Sequence, residues 1–313
     1  MDTREQLLAL NEELRRRKAE GVRSISVTDE SLVRLRAGVS AQLVPAPQSL
    51  AATPAVAASA VESIAEPRPP FAPRPTPVRA SAAPVFSLGP IPAEAPVVNL
   101  PDGDKQTRWD ALQALVQQHP VCRQHLRPGK KLVLGVGRLD ADIFFCGEAP
   151  GAEEEMLGEP FVGPAGQLLT RMIQGMGLKR EQVYIGNIMN WRPEMATGPD
   201  NVQTGNRPPT PAELRFCLPF LRAQLDIVQP KLIVALGKTA AEGLLGHGSF
   251  RTLGEVRGRW HDWSGTPVMV TYHPSYILHR ETKTAKREIW SDLLMVMERA
   301  GLPISEKQRG YYL

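Results

Sequence analysis

Short apolar runs alternate with amphipathic stretches over the C-terminal two thirds of the chain. Apolar runs bounded by Gly, Pro or polar residues are typical of buried strands, whereas apolar residues three and four positions apart indicate helices. Strands are predicted at Leu132–Val136, Ile143–Cys146, Val183–Ile188, Leu232–Leu236 and Val268–Val270. Helices are predicted at Asp110–Gln118, Ala165–Met176, Pro211–Val228, Thr239–Leu245 and Thr284–Ala300.

This alternation of strands and helices predicts an α/β fold. Strands connected through helices pair in parallel, and the helices cover both faces of the sheet. We therefore expect a three-layer α/β/α sandwich around a short parallel sheet. Such sheets bind ligands beyond the carboxyl ends of their strands. The candidate site is then formed by the loops after Cys146, Ile188, Leu236 and Val270.

The chain before the predicted sheet lacks the alternation of strands and helices. Glu5–Glu20 has the pattern of a short amphipathic helix, which is either a solvated helix or an arm that binds a protein partner or DNA. Between Pro45 and Pro101, 57 residues include 14 Pro and 14 Ala, and too few periodic apolar residues remain to offset the entropy of ordering. The predicted regions are the helix and arm at 1–40, a disordered linker at 41–107, a folded domain at 108–304 and a tail at 305–313.

Composition and charge narrow the functional classes only slightly. The net charge of +4 arises within residues 106–313, which hold 25 Lys+Arg and 21 Asp+Glu, and it is compatible with a polyanionic partner without establishing one. Three scattered cysteines favour a reduced, cytoplasmic setting over a disulfide framework. There is no apolar run of about 18 residues and no basic-then-apolar leader, so membrane association is not expected. We expect a monomer.

The loops that follow the strands carry the candidate chemistry. Gly147–Gly151 is rich in glycine, which lets backbone N–H groups approach an anion near the helix that begins at Ala165. Asn187 ends a strand, where its amide either pairs with the edge of a planar base or forms a turn. His273 follows the last strand and is either a donor to a developing negative charge or a structural histidine.

Taken together, these segments resemble the uracil-DNA glycosylase superfamily, most closely the branch known as family 4. The resemblance covers about Cys122 to Arg299 and leaves out the N-terminal arm. Several independent segments share the family's order. They are Gly147–Gly151, Pro160–Gly163, Ala165–Leu169, Asn187, Arg192–Pro193, Asn206–Arg207, Ile233–Gly237, Arg257–Gly258 and Thr271–Pro274.

The resemblance implies an enzyme that flips deoxyuridine out of DNA and hydrolyses its N-glycosidic bond, leaving an abasic site. Uracil and related deaminated bases are the expected substrates. Phe161 would stack on the base, Asn187 would bind its polar edge, and main-chain N–H groups around Gly147 would complete the pocket. His273 would donate to uracil O2 as negative charge develops there, and Glu148 would position the attacking water.

The resemblance also implies a DNA-facing surface, with uracil-containing DNA as the partner. One of Tyr276, Ile277 and Leu278 is expected to wedge into the space that the flipped base leaves. Arg257, Arg259 and Arg280 are either phosphate contacts or solvated surface charges. The predicted DNA contacts are Arg257, Arg259, Ser275, Tyr276 and Arg280.

Family 4 members hold an iron–sulfur cluster through four cysteines. In this chain the corresponding positions are Cys122, His125, Trp191 and Cys217. Imidazole replaces thiolate in some clusters, but an indole does not ligate iron, so at most three ligands remain. We therefore expect that the cluster is lost, that His125 and Trp191 fill its space by packing, and that no other cofactor is used.

Two alternatives use the same fold. A catalytically degenerate DNA-binding or replication-associated module would be consistent with the altered cluster positions. A relative that cross-links to its product carries a Gln in the first motif and a basic loop ending in His, whereas this chain has Ala149 and no such run in Thr252–Gly258. The glycosylase is favoured because Phe161, Asn187 and His273 are all present.

Overall fold

The computed structural model describes Arg16, residues 89–195 and residues 203–313. Apart from Arg16, the predicted N-terminal helix lies outside the described residues, and so does most of the predicted linker. Within the described ranges, no helix has the length and apolar character that crossing a membrane requires.

Six strands form one mixed sheet in the described part of the chain. They are β1 (Val136–Gly137), β2 (Ile143–Gly147), β3 (Tyr184–Asn187), β4 (Leu232–Leu236), β5 (Trp260–Trp263) and β6 (Thr266–Thr271). Their order across the sheet is β1-β3-β2-β4-β6-β5. The central strands β3, β2, β4 and β6 are parallel, whereas β1 and β5 pair antiparallel at the two edges.

The helices begin at residues that suit a helix N-terminus. Pro stands in the first turn of four of them, where its missing N–H would have no partner within the helix. The α-helices of the described ranges are α1 (Lys105–Gln118), α2 (Pro120–Gln124), α3 (Ala152–Leu157), α4 (Pro164–Gly175), α5 (Pro211–Val228), α6 (Lys238–Leu245), α7 (Leu253–Val256), α8 (Pro274–His279), α9 (Lys283–Arg299) and α10 (Glu306–Arg309).

The sheet separates two apolar cores. Successive residues of a strand point to opposite faces, and in β2 Phe144 and Cys146 join one buried cluster while Ile143 and Phe145 join the other. Helices α1, α5 and α6 supply side chains to the first cluster, and α4 and α9 supply them to the second. The predicted three-layer α/β/α arrangement is confirmed.

The predicted strand Leu132–Val136 is wrong for all but its last residue. Only Val136 belongs to a strand, the two-residue β1. The backbone before Val136 forms its hydrogen bonds with groups outside the sheet. Val133 N–H donates to the Asn190 carbonyl at 2.8 Å, and Gly135 N–H donates to Gln224 Oε1 at 3.1 Å. These acceptors lie in a loop and on a helix, so the segment is held without a strand beside it.

Two boundaries differ from the expected ones. Helix α1 begins at Lys105, inside the predicted linker, after Asp104, whose side chain accepts an N–H of the first turn. Residues predicted as a C-terminal tail include α10, and the Trp290 indole donates to the Gln308 carbonyl at 2.6 Å. The folded part therefore extends beyond the predicted domain, residues 108–304, at both ends.

The register of the parallel strands places the candidate loops side by side. Gly147 lies opposite Asn187, and Leu236 lies opposite Thr271. Strand β2 lies between β3 and β4, so the chain leaves β2 on one side and later returns on the other. Ligands of α/β sheets bind at this kind of switch point. The predicted site loops converge there.

Candidate active site

A cavity of about 660 Å³ opens at the carboxyl ends of the central strands. Five residues predicted from the sequence line it: Glu148, Phe161, Asn187, His273 and Ser275. They come from loops that are far apart along the chain. The fold therefore brings the predicted catalytic and base-binding residues into one site.

Gly147 allows Phe161 and Asn187 to approach each other. A Cβ atom at this position would overlap Asn187 Oδ1 and the Phe161 ring. Phe161 has a left-handed backbone with φ of 53°, which is uncommon for a residue with a side chain. Gly166, in α4, leaves room for the Phe161 carbonyl. The aromatic ring is thus fixed at the cavity wall by close backbone packing.

Asn187 presents a buried polar atom without a partner. The residue is 4% exposed, and its Oδ1 accepts no hydrogen bond from the described residues. Buried polar groups are usually paired, because an unpaired one keeps its full desolvation cost. An unpaired acceptor at a cavity wall is suited to an N–H group of a bound ligand.

His273 is held as a neutral hydrogen-bond donor. The backbone N–H of Ser275 donates to His273 Nδ1 at 3.2 Å, and Ser275 Oγ lies 2.8 Å from the same nitrogen. A backbone N–H only donates, so Nδ1 accepts and the proton of the neutral ring lies on Nε2. Burial lowers the pKa of His273 to about 4, against an opposing effect of the Glu154 carboxylate. The ring is therefore uncharged at neutral pH.

Glu148 has one carboxylate oxygen engaged. Its Oε2 accepts a hydrogen bond from Thr239 Oγ1, in the first turn of α6. Burial raises the pKa of Glu148, the hydrogen bond from Thr239 opposes this, and Glu242 raises the pKa further. Sequence reasoning missed Thr239, although Gly237, with φ of 91°, marks the turn that brings the residue to the site.

Glu154 organises the first loop, a role that sequence reasoning also missed. One carboxylate oxygen accepts the N–H groups of Val162 and Gly163 at 3.0 and 2.9 Å, and the other accepts that of Gly151 at 3.1 Å. One side chain thereby joins both halves of the loop around Phe161. The spacing from Gly151 to Glu154 is that of a capping box, which is the signal that could have identified it.

The arginines predicted to contact DNA differ in their surroundings. Arg259 and Arg280 are exposed. Arg257 is partly buried, and its guanidinium donates to both oxygens of Asp292 at 3.0 Å. Asp292, which the sequence did not single out, is 3% exposed and also accepts the Thr271 hydroxyl at 2.6 Å. Arg257 is therefore linked to the end of β6.

Helix α8 carries the three candidates for a wedge into DNA. Ile277 is 5% exposed and belongs to the core, whereas Leu278 is 38% exposed. The Tyr276 ring stacks on Tyr272 with centroids 4.3 Å apart. Of the three candidates, Leu278 has the apolar side chain that is free of such packing.

The four cluster positions form a packed aromatic and thiol site. Cys122 and Cys217 are buried free cysteines, and burial raises the pKa of Cys122 to about 12. The His125 ring stacks on the Trp191 indole, with centroids 5.3 Å apart and planes 16° apart. Among the described residues, no three His, Cys, Asp or Glu side chains form a group that could hold a metal ion. These residues do not fit an iron–sulfur cluster, because the indole offers no ligand and occupies the space.

Comparison with known proteins identifies the family. The profile of the uracil DNA glycosylase superfamily matches residues 134–294, which include every residue that lines the cavity. The type-4 uracil-DNA glycosylase of Thermotoga maritima is 40% identical over 179 residues, covering 57% of this chain and 87% of that protein. The protein of the same name from Archaeoglobus fulgidus is 38% identical over 200 residues, covering 61% and 94%. The chain therefore belongs to the uracil DNA glycosylase superfamily, in the branch of its type-4 members.

Proposed function

We propose that the protein is a DNA repair glycosylase that removes uracil, and related deaminated bases, by hydrolysing the N-glycosidic bond. Its similarity to type-4 uracil-DNA glycosylases supports this activity. One observation carries the proposal: a single cavity holds the unpartnered Asn187 Oδ1 and the neutral His273 ring. These two groups are complementary to two polar edges of uracil, N3–H with O4 and the O2 oxygen.

The base reaches the cavity only after extrusion from the helix. Inside a duplex the glycosidic bond is inaccessible, and flipping exposes it at a cost of a few kcal/mol in lost stacking. The volume of about 660 Å³ has room for the base together with its sugar and a flanking phosphate. Leu278 is the wedge that we propose for the vacated position, because it is exposed and apolar.

Asn187 and Phe161 bind the base. Asn187 Oδ1 accepts uracil N3–H, and the amide nitrogen donates to O4, so one side chain satisfies the Watson–Crick edge of uracil. The Phe161 ring stacks on the base, in a position fixed by the close packing at Gly147 and Gly166. Cytosine presents an acceptor at N3 and a donor at C4, which is the reverse pattern. The unpaired acceptor therefore selects uracil over cytosine.

His273 and Glu148 act on the bond that breaks. When the bond between C1′ and N1 cleaves, its electron pair passes to the uracil ring and negative charge develops on O2. The Nε2–H of His273 donates to that oxygen, and one donor of this kind contributes about 10²–10³-fold in rate. Glu148 positions the water that attacks C1′ and accepts its proton, while the free oxygen Oε1 faces no competing donor among the described residues.

The DNA backbone contacts surround the cavity. Arg259 and Arg280 are exposed, so both are available to phosphates. Ser275 lines the cavity and remains a proposed member of this surface, although its backbone N–H donates to His273 Nδ1. Arg257 and Tyr276 remain proposed members of this surface, although their side chains also contact Asp292 and Tyr272 respectively.

We also infer that the protein holds no iron–sulfur cluster. The stack of His125 on Trp191 supports this, because the indole offers no atom that ligates iron. Anaerobically purified protein should then lack stoichiometric iron and visible absorbance. A stoichiometric cluster would overturn the inference without affecting the proposed glycosylase activity.

The remaining proposals concern assembly and location. We propose a monomer that acts in the cytoplasm, and the N-terminal segment is a candidate for binding a protein partner. Light scattering on the purified full-length chain should give the monomer mass of 34.4 kDa. A stable dimer mass would contradict the first of these proposals.

A degenerate DNA-binding module is the second candidate, and the replaced cluster positions favour it. An oligonucleotide with a single uracil, treated with protein and then with alkali, separates the two functions. Strand cleavage that is absent from a matched thymine oligonucleotide, and is lost in His273→Ala, supports the glycosylase. Binding of both oligonucleotides without cleavage supports the module.

A further inference from the structure

Four side chains form one stacked column at the end of β6 and along α8. Arg257 Cζ lies 4.9 Å from the Tyr272 ring centroid, and Arg280 Cζ lies 5.6 Å from that of Tyr276. The two rings stack with centroids 4.3 Å apart and planes 12° apart. Each ring covers one face of the other, so each guanidinium lies on an outer face. The order is Arg257, Tyr272, Tyr276, Arg280, called the column below.

The inner end of the column is anchored and neutralised. Arg257 donates to both oxygens of the buried Asp292 at 3.0 Å, and its second terminal nitrogen lies 3.3 Å from Glu288 Oε1. Asp292 also accepts the Thr271 hydroxyl, two residues before His273. This end therefore has a fixed position relative to the catalytic loop and carries no excess positive charge.

The outer end of the column, Arg280, is neither anchored nor neutralised by an acidic residue of the described ranges. Arg280 is exposed, and it makes no ion pair with another described residue. Its contact in the described structure is the face of the Tyr276 ring. The column therefore ends in an exposed guanidinium that lies over the Tyr276 ring.

We propose that the column fixes the Arg280 guanidinium to bind a phosphate of the DNA strand that enters the cavity. The inference rests on the proposed function, since it takes DNA as the ligand. A free arginine side chain loses conformational entropy when it binds, and a stacked one has already lost much of it. A planar guanidinium also pairs with two phosphate oxygens at once. Tyr272 and Arg257 act through Arg280 and are positioning residues.

The proposal separates two roles for Arg257. As a direct phosphate contact, it would add to the salt dependence of binding through its charge, which a lysine preserves. As the anchor of the column, it needs the planar guanidinium, which covers Tyr272 while its two terminal nitrogens contact Asp292 and Glu288. Arg257→Lys therefore distinguishes the roles by the salt dependence of DNA binding.

A double-mutant cycle on DNA affinity tests the column. The ligand is an oligonucleotide with a tetrahydrofuran abasic-site analogue, so binding is measured whether or not the protein excises uracil. Arg280→Ala and Tyr272→Leu should each weaken binding by about fivefold and reduce the slope of log K on log salt by about 0.9, the value for one phosphate contact. The double variant should bind no more weakly than Arg280→Ala alone.

Two further variants keep the test decisive. Tyr272→Phe preserves the stack and should bind within about twofold of wild type. Arg257→Lys should reproduce the loss and the reduced slope if Tyr272→Leu does not fold. Two results would overturn the proposal. One is an additive loss of affinity in the double variant, and the other is a wild-type slope of log K on log salt in both Tyr272→Leu and Arg257→Lys. Wild-type binding without uracil excision would instead contradict the proposed function and leave the column standing.

Discussion

The backbone N–H of Ser275 donates a hydrogen bond to His273 Nδ1 at 3.2 Å. This bond assigns the ring proton to Nε2, the nitrogen that is left to face a ligand. Burial lowers the pKa of His273 to about 4, so the donor is uncharged at neutral pH. A neutral donor stabilises a developing anion without first having to lose or gain a proton.

Removing the donor should slow uracil excision sharply. His273→Ala should lower the single-turnover rate by about 10²–10³-fold, the usual effect of one lost donor to a developing anion. Ser275→Ala is the matched control, because it removes the hydroxyl and keeps the backbone N–H. Its loss should stay below about tenfold, in the range of one hydrogen bond. Equal losses of excision rate in both variants would show that the bond from the Ser275 backbone does not fix the His273 ring.

The excision rate should fall as the pH falls below neutral. Glu148 acts as a carboxylate, and burial raises its pKa, so its ionised fraction declines at a higher pH than that of an ordinary glutamate. His273 takes up its proton only near pH 4, and above that value it stays neutral. Single-turnover rates across the acidic and neutral range measure the profile. Glu148→Gln should be slow and should lose this acid dependence; an unchanged profile would remove Glu148 from the mechanism.

Asn187→Leu should separate stability from activity. The Oδ1 atom has no partner in the described structure, so replacing the amide with an apolar side chain of similar size removes an unpaired buried group. The thermal midpoint should stay equal to that of wild type or rise. Uracil excision should fall by at least about 10²-fold, because the base loses its edge contacts. A large fall in the midpoint would mean that Asn187 serves the fold instead.

Gly147→Ala should impair both folding and activity. Its Cβ would overlap Asn187 Oδ1 and the Phe161 ring, and overpacking of this kind costs about 1–3 kcal/mol. Gly254→Ala is the control, since its Cβ would meet no atom closer than 4.0 Å and its backbone is not left-handed. Urea unfolding and excision rates should show a loss in the first variant and wild-type values in the second. Wild-type activity in Gly147→Ala would mean that the close approach is unnecessary.

The sequence pattern located the buried strands because their burial is continuous. All five residues of β2 and of β4 are buried, which produces the apolar runs that the pattern detects. Edge strand β5 was missed, since Trp260–Trp263 has two adjacent polar residues between its tryptophans and is only partly buried. The segment before β1 has an apolar run too, but its partners are the Asn190 carbonyl and the Gln224 side chain. Such partners depend on the tertiary fold.

In the candidate site, too, some residues could be predicted from the sequence and others could not. Residues at strand ends, such as Asn187 and His273, were identified because the fold class predicts where strand ends meet. Glu154, Thr239 and Asp292 act through hydrogen bonds to residues distant in sequence or to backbone N–H groups. The capping-box spacing from Gly151 is a local signal for Glu154. No motif predicts the bonds of Thr239 and Asp292, so those two residues required the structure.

We propose that the residues lining this cavity hydrolyse the bond between uracil and DNA. The most direct measurement is the amount of free uracil released when excess protein is incubated with an oligonucleotide that carries one uracil. Wild type should release one uracil per oligonucleotide, whereas His273→Ala and Asn187→Leu should release little in the same time. Wild-type protein that binds the oligonucleotide without releasing uracil, or full release by both variants, would contradict this proposal.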